Sequence, residues 1–401
     1  MSYSIIQQPQ PLALAQSPVI FAVSSSTNVV NPEFQYIVEL SIWTGSITTP
    51  TSASTWTLAK YPSSQGFTGI FDCSRIINST QTALVQQNPS PIKNYKIESY
   101  SRWLSGSVYV TGSHTTSSVF QAADGYEVFP EEINQGIGAN SAALYKSWPL
   151  MYDGPLTQSC FIDNKGLGYI YMIAATPGDS TPTKIKFESD AGTQYYNLNT
   201  GSLTDSNNLV QTFPMYPSEI GFPLDKNSIS WYSVCAMSGS TEISTKTRFD
   251  YVCQQKYPNI RIKFKNRYGA LQYMNLDMVN RKSFNTTKRT YQPQLGSWQS
   301  RTLTYNQYDS QTLNYIVDST QKISANSNWL AEEWNEIIKQ LLVSDEIYWV
   351  NEGGQAYEGI NWAIKPLTIT TQNITFKTGV NDHLIQYQFE FDYGQGYKLI
   401  I

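Results

Sequence analysis

The sequence predicts a mainly β, multi-domain chain: two β-sandwich-like modules followed by a C-terminal α+β module containing one amphipathic helix. Three observations predict it. Apolar and polar residues alternate in many short stretches, the period-2 pattern of a strand with one buried face. Charged residues make up only 14% of the 401 residues, while 28 Tyr and 10 Trp are present, and aromatic and β-branched side chains favour pleated, half-buried surfaces. One stretch, Trp329 to Val343, carries the 3.6-residue apolar spacing of a helix. The length suits two to four domains.

Residues 1–18 are rich in Pro and Gln and are expected to form an extended N-terminal arm. A first sandwich-like domain is expected over residues 19–160. Its clearest strand is Phe34 to Trp43, where Phe34, Tyr36, Val38, Leu40 and Ile42 alternate with more polar neighbours and only Ile37 breaks the pattern. Trp56 to Lys60, Lys93 to Ser105 and Ser107 to Gly112 read as further strands. Asp72 or Ser74 is placed to cap a short helical turn carrying Ile76 and Ile77. Residues 113–150 show little regular pattern and read as a long interfacial loop.

A second β domain is expected over residues 161–258. Thr183 to Glu188 alternates as a strand, and Asp190-Ala-Gly-Thr supplies a hairpin turn before Tyr195. The α+β domain is expected over residues 259–401. Ile260, Ile262 and Phe264 alternate with Arg261, Lys263 and Lys265, which reads as a strand with a basic wet face. A turn ends at Gly269. Strands are read at Arg301 to Tyr305 and Thr312 to Val317. Leu330, Trp334, Ile337, Ile338, Leu341 and Leu342 form the helix stripe, a packing feature with acids early, where a helix N-terminus favours them. Ile385, Tyr387, Phe389, Phe391 and Tyr393 alternate along the last clear strand. The apolar ending, with Ile400 and Ile401, is expected to dock in a sheet or on a partner.

The formal net charge of −4 argues against generic nucleic-acid binding. DNA contact is left to the basic stripe alone. Cys73, Cys160, Cys235 and Cys253 form no CxxC and have only His114 and His383 for company, so no zinc site is expected. Buried free thiols are the plainer reading, with two disulfides left open. Neither Asp163-Asn-Lys nor Asn381-Asp382 fits a calcium loop of the helix–loop–helix type. No cofactor is implied. No run of 18 apolar residues occurs, so membrane insertion is not expected.

No nucleophile elbow, P-loop or HExxH motif is present, and two histidines give imidazole chemistry little to draw on. The chain is read as a non-enzyme. A paired-carboxylate glycoside hydrolase stays open because any two acids can meet in space. The interface residues expected are Arg261, Lys263, Lys265, Arg267, Tyr268, Ile400 and Ile401. The alternative is a carbohydrate- or receptor-binding surface using Trp43, Trp56, Trp103 and Trp148, against which stands the enrichment of aromatics in cores and interfaces.

Three groups of stretches carry a resemblance. The first is QSPVIFAV, FQYIVELSIW and GIFDCSRII. The second is SEIGFPLD, WYSVCA, FDYVCQQ and IRIKFKNRYGALQYMNLD, with a Phe-x-Asn-Arg-x-Gly element at Phe264 to Gly269. The third is AEEWNEIIKQLLVSDEIYWV and NDHLIQYQFEFDYG. Together they resemble virion structural proteins, of the tail, baseplate or tail-hub region, from tailed bacteriophages infecting Bacteroidota. The resemblance implies a mostly β subunit of the virion tail, assembled in the host cytoplasm. It also implies a homo-oligomer, a ring or trimer, in contact with other tail or structural proteins. No catalytic residues travel with it.

Overall fold

The computed structural model describes residues 3–26, 31–45, 47, 52–64, 66–80, 92–128, 152, 154–161, 169–173, 183–197, 210–214, 229–252, 256–296, 301–350, 364–376, 385–394 and 398–400. They fall into two compact units. One is Met1–Cys253 with Lys265–Gln272; the other is Gln254–Phe264 with Tyr273–Ile401.

The first unit opens with β1 (Tyr3–Gln7), β2 (Leu12–Leu14), β3 (Ile20–Ser25), β4 (Gln35–Trp43), β5 (Ser54–Lys60) and β6 (Thr68–Asp72). A short helix, Ser74–Ser79, follows, then β7 (Ile92–Ser105), β8 (Val108–Thr111), β9 (Thr115–Thr116) and β10 (Phe120–Ala123). One sheet has the order β1-β3-β6; the other runs β2-β10-β7-β4-β5, with β8 and β9 attached to β7. Phe21, Val23 and Phe71 from the first sheet share one core with Tyr36, Val38, Leu40, Tyr95 and Ile97 from the second. Two sheets that pool their apolar faces in this way make a sandwich. Tyr36 is wholly buried, and its hydroxyl donates to the Phe67 carbonyl at 2.7 Å and accepts from the Ser25 amide at 3.1 Å. Asp72 does not cap the helix from the N-cap position, which Cys73 holds. Its Oδ1 instead accepts from the Ser74 and Val19 amides at 3.0 and 3.1 Å.

Two expectations are corrected here. The described part of the expected arm, residues 3–18, is not detached, because β1 pairs with β3 and β2 pairs with β10. Residues 113–128, the described part of the expected long loop, contain β9 and β10, and Phe120, Ala122 and Ala123 are buried. Four core residues in a row (FQAA) offer no period for a sequence reading to detect. The rest of that loop, residues 129–150, lies outside the described residues.

The same unit continues with β11 (Thr157–Phe161), β12 (Tyr169–Ile173), β13 (Lys184–Ser189), β14 (Gly192–Asn197), β15 (Val210–Pro214), β16 (Trp231–Ser238), β17 (Thr241–Glu242) and β18 (Thr247–Val252). Its main sheet runs β11-β18-β16-β13-β14, with β17 on β16, and β12 pairs with β15 separately. The expected hairpin turn is present between β13 and β14, with Gly192 at φ 130°. Ile185, Phe187, Tyr232, Val234 and Phe249 are buried, and Tyr232 stacks on Phe249 with ring centroids 5.0 Å apart.

The last strands are β19 (Ile260–Lys265), β20 (Leu271–Leu276), β21 (Arg281–Tyr291), β22 (Leu313–Asn326), β23 (Ile347–Val350), β24 (Ile364–Ile369), β25 (Gln388–Tyr393) and β26 (Lys398–Ile400). They form an eight-stranded sheet in the order β20-β19-β23-β24-β25-β22-β21, with β26 on β22. The helix is Asn335–Val343, preceded by a 3₁₀ turn at Glu332–Trp334. Ile337, Ile338 and Leu341 are fully buried, as the stripe predicts. The helix starts later than Trp329 because Leu330 exchanges both backbone hydrogen bonds with Ile385 at 2.8 Å. Ile262, Phe264, Ile323, Phe389 and Phe391 are buried in the same unit. The Lys282 ammonium lies 4.8 Å from the Trp349 ring, although four pairing steps separate β21 from β23. The sheet is therefore strongly curled.

Candidate interaction surface

The basic stripe is not a wet face, and this corrects the sequence reading. All six residues of β19 are buried, the cations as well as Ile260, Ile262 and Phe264. Arg261 is 1% exposed, and its guanidinium lies 4.6 Å over the Tyr273 ring, with the Lys263 ammonium 5.9 Å from the same ring. An aromatic face offsets part of the cost of taking a cation from water. Lys265 donates to Asp124 Oδ2 at 2.6 Å, and Gln16 Nε2 donates to Asp124 Oδ1 at 3.0 Å. Buried charges persist when paired and hydrogen-bonded in this way.

The Phe-x-Asn-Arg-x-Gly element is a turn with a structural duty. Asn266 Oδ1 accepts from the backbone amides of Tyr268 and Ala270 at 3.1 and 3.0 Å. The Asn266 amide donates to the Ala270 carbonyl at 2.8 Å and closes the loop. Gly269 has φ 77°, the left-handed region that favours glycine. A Cβ on it would sit 2.7 Å from the Asp124 backbone. Gly125 is as tightly placed against the Arg267 carbonyl, and the Tyr126 amide donates to that same carbonyl at 2.8 Å. Arg267 and Tyr268 are half-buried, and Arg267 Nη2 donates to the Tyr268 hydroxyl at 2.6 Å. The turn is spent on packing within the first unit.

The three described tryptophans of the four, Trp43, Trp56 and Trp103, do not make an open surface. Trp43 is buried, and Trp56 and Trp103 are half-buried against the sandwich core. Trp148 lies outside the described residues. Ile400 belongs to β26, whose backbone pairs with Ile316 to Asp318 of β22, so the end of the chain is docked in the sheet. Ile401 lies outside the described residues.

What the sequence reading missed is the ribbon formed by β21 and β22. Their register runs from Arg281↔Ser324 to Tyr291↔Leu313, with a bulge near Arg289 that leaves Tyr315 without an opposite residue. All 11 residues of β21 are exposed. At roughly 3.3 Å per residue β21 is about 36 Å long. A two-stranded ribbon is marginal alone. This one is rooted where Lys322 to Asn326 pair with β25, and braced where Ile316 to Asp318 pair with β26. The segment that joins the two strands contains a turn at Asn306 to Asp309, where the Asp309 amide donates to the Asn306 carbonyl at 3.0 Å and Asp309 Oδ2 accepts from the Asn306 amide at 2.8 Å. Tyr308 is 84% exposed and Tyr305 64%. Tyr291 and Tyr315, on the paired strands, meet edge to face with centroids 6.2 Å apart. Single exposed apolar residues need no explanation; here four exposed tyrosines lie on one ribbon and the segment that joins its strands.

Among the described residues no group of three or more His, Cys, Asp and Glu is placed to hold a metal ion. Cys73 and Cys235 are free and buried. Burial pushes the Cys73 thiol up to about 12, which removes its nucleophilic form at neutral pH. The Cys160 side chain and Cys253 lie outside the described residues. No described helix is long and apolar enough to cross a membrane.

No protein-family model and no curated protein matches the chain. Among solved structures, the chain is similar to one of a 1.5-MDa bacterial ice-binding adhesin retained at the host cell surface, at 7% identity, over 82% of this chain and 92% of that one, with a TM-score of 0.18. A Ca2+-stabilised adhesin with which an Antarctic bacterium binds ice matches at 7% identity over 98% of both chains, with a TM-score of 0.19. A Salmonella alpha-2-macroglobulin mutant matches at 8% identity over all of this chain and 34% of that one, with a TM-score of 0.17. Superpositions this loose carry no argument about fold or function. The structure itself defines the class: a mainly β protein of several sheets with a short C-terminal helical segment.

Proposed function

We propose that the chain is a non-catalytic binding subunit that joins other chains of a larger particle, with the ribbon as its contact element. The observation that carries this reading is the ribbon end. Tyr291, Tyr305, Tyr308 and Tyr315 are held on a hydrogen-bonded projection that adds little to the core. Aromatic residues give large contact area at low entropic cost, which is why interfaces favour them. The finer assignment, a tail or baseplate component of a phage that forms a ring or trimer, rests on the sequence resemblance.

A second reading is favoured by the same end: the exposed tyrosines, with Asn306 and Asn314 nearby in sequence, meet a glycan or receptor. Size-exclusion chromatography with light scattering separates the two. Self-assembly predicts a defined oligomer for the wild type and a shift toward monomer for Tyr305→Ser/Tyr308→Ser, with unchanged circular dichroism. A monomer at every concentration tested overturns the self-assembly reading. Glycan-array binding that the same variant abolishes supports the second reading. Immunogold labelling of purified particles tests the phage setting, and particles without label count against it.

A further inference from the structure

The outer edge of β21 carries more than exposure. β21 ends the eight-stranded sheet, and no described strand lies on its outer side. Such an edge presents alternate N–H and C=O groups to any strand that can reach it. Proteins usually blunt such edges by shortening them, by bulges, or by placing Pro or charged residues on them, and like charges repel a like-charged strand but not one of opposite charge. β21 is 11 residues long, holds no Pro and has one irregularity, at Arg289/Thr290.

Its charges are arranged for a particular neighbour. Arg281, Lys282, Lys288 and Arg289 lie on β21, and no Asp or Glu does, in a chain whose net charge is −4. By strand parity Arg281 and Arg289 share one face, and Lys282 and Lys288 share the other. Along the strand, Arg281 and Lys282 stand about 23 Å from Lys288 and Arg289, which makes two basic pairs. A nucleic acid laid on either face would meet only half of these cations. A second copy of β21 would bring four more cations against them, and like charges opposed across strands are destabilising. A strand laid along the edge, with carboxylates matching both pairs, meets Arg281, Lys288 and Arg289 together with Lys282, whose ammonium also lies over the Trp349 ring.

We propose that β21 receives an extended acidic segment of a different polypeptide by strand addition, with paired Asp or Glu residues flanking a short neutral stretch. This rests on the reading of the ribbon as a contact element and names its partner's chemistry. Main-chain hydrogen bonds supply the affinity in such additions, and side-chain matching supplies the choice of partner.

The test uses the full chain and a fluorescein-labelled peptide, acetyl-EETTVTTEE-amide, read by anisotropy. Three companion probes are the same peptide with alternate amides N-methylated, the peptide with Lys for every Glu, and an oligothymidylate. Strand addition predicts saturable binding of the acidic peptide, weakened at least about tenfold by N-methylation, which removes hydrogen bonds and leaves charge unchanged. Lys288→Gln/Arg289→Gln should weaken it comparably, with circular dichroism unaltered. Equal binding of the N-methylated peptide, tighter binding of the oligothymidylate, or no saturable binding overturns the proposal. If Tyr305→Ser/Tyr308→Ser abolishes assembly while the peptide fails to bind, this inference falls alone. If the peptide binds and the chain neither assembles nor takes a glycan, the edge stands and the ribbon-end reading falls.

Discussion

Three glycine-to-alanine substitutions separate backbone strain from steric exclusion at the turn that carries the Phe-x-Asn-Arg-x-Gly element. Gly239 has φ 59° and open space around its Cα. Alanine there costs the left-handed strain of about 1 kcal/mol, offset by roughly 0.5 kcal/mol from a stiffer unfolded chain. Gly269 has φ 77°, and its added Cβ would lie 2.7 Å from the carbonyl carbon and oxygen of Asp124 and 2.8 Å from its nitrogen. Those are backbone atoms, and no rotamer change moves them aside. Strain and overpacking therefore add, to about 3–4 kcal/mol. At Gly125 a Cβ would meet the Arg267 carbonyl oxygen at 2.3 Å with no left-handed backbone involved. That variant isolates exclusion, at about 2–3 kcal/mol.

The assay is urea denaturation followed by tryptophan fluorescence, with hydrogen exchange read on a peptide spanning residues 120–128. The exchange measurement matters because the chain forms two compact units, and a single transition need not describe both. The expected order of destabilisation is Gly269→Ala, then Gly125→Ala, then Gly239→Ala, with faster exchange at 120–128 in the first two only. Should Gly269→Ala match Gly239→Ala within about 0.5 kcal/mol, the close approach to Asp124 is not a constraint and the account of the motif fails.

Other outcomes follow from burial. Asp124→Asn keeps an acceptor for Gln16 but removes the carboxylate charge that meets the buried Lys265 ammonium at 2.6 Å, at a cost of about 3–5 kcal/mol by denaturation. Asp124→Leu/Lys265→Met should cost less than the single change. Phe389→Ala, at a fully buried position, should cost about 3–5 kcal/mol, whereas Phe284→Ala on the exposed ribbon should stay within about 0.5 kcal/mol. Burial raises the Tyr3 hydroxyl and the Cys73 thiol to about 12, and raises the Tyr95 hydroxyl well above its ordinary value. Folding thus favours their neutral forms, and the stability they contribute is whole below the ordinary thiol and phenol values. It is lost as pH rises from there toward 12, so ultraviolet titration should show tyrosine ionisation coupled to unfolding. Alkylation of Cys73 at pH 8, read by mass spectrometry, should require denaturant; labelling of the native chain would contradict its burial.

Much of the fold is legible in the sequence where one face of an element is wet and the other dry. β4, β13, β25 and the helix were read from such periods, and Ile337, Ile338 and Leu341 are buried as the spacing requires. The helix start was not legible, because Leu330 has the helical spacing yet is claimed by a bridge to Ile385. That choice is tertiary, and propensity cannot see it. Arg301 to Tyr305 carries strand-like residues but forms no extended strand; Asn306 to Asp309 turns immediately after it. β10 escaped notice for the opposite reason, since a strand buried on both faces shows no alternation.

The contact surface was the least legible part, and β19 and β21 show why. In β19 regular alternation of apolar and basic residues marked an exposed cationic face, yet Tyr273 and Asp124 supply the ring face and the carboxylate that let those cations be buried. Both partners are distant in sequence or out of phase with the stripe. In β21 there was no apolar alternation to find, because a ribbon wet on both faces needs none. Its signals were weaker: Thr286, Thr287, Thr290, Phe284 and Tyr291 favour strands, and neither Gly nor Pro interrupts Arg281 to Tyr291. Period-2 patterning reports which faces are chemically different, not which one meets water. A cationic row becomes a surface only where the fold leaves it in water, and for that reason the exposed basic residues lie on the strand with the fainter pattern, even though Lys282 also meets the Trp349 ring.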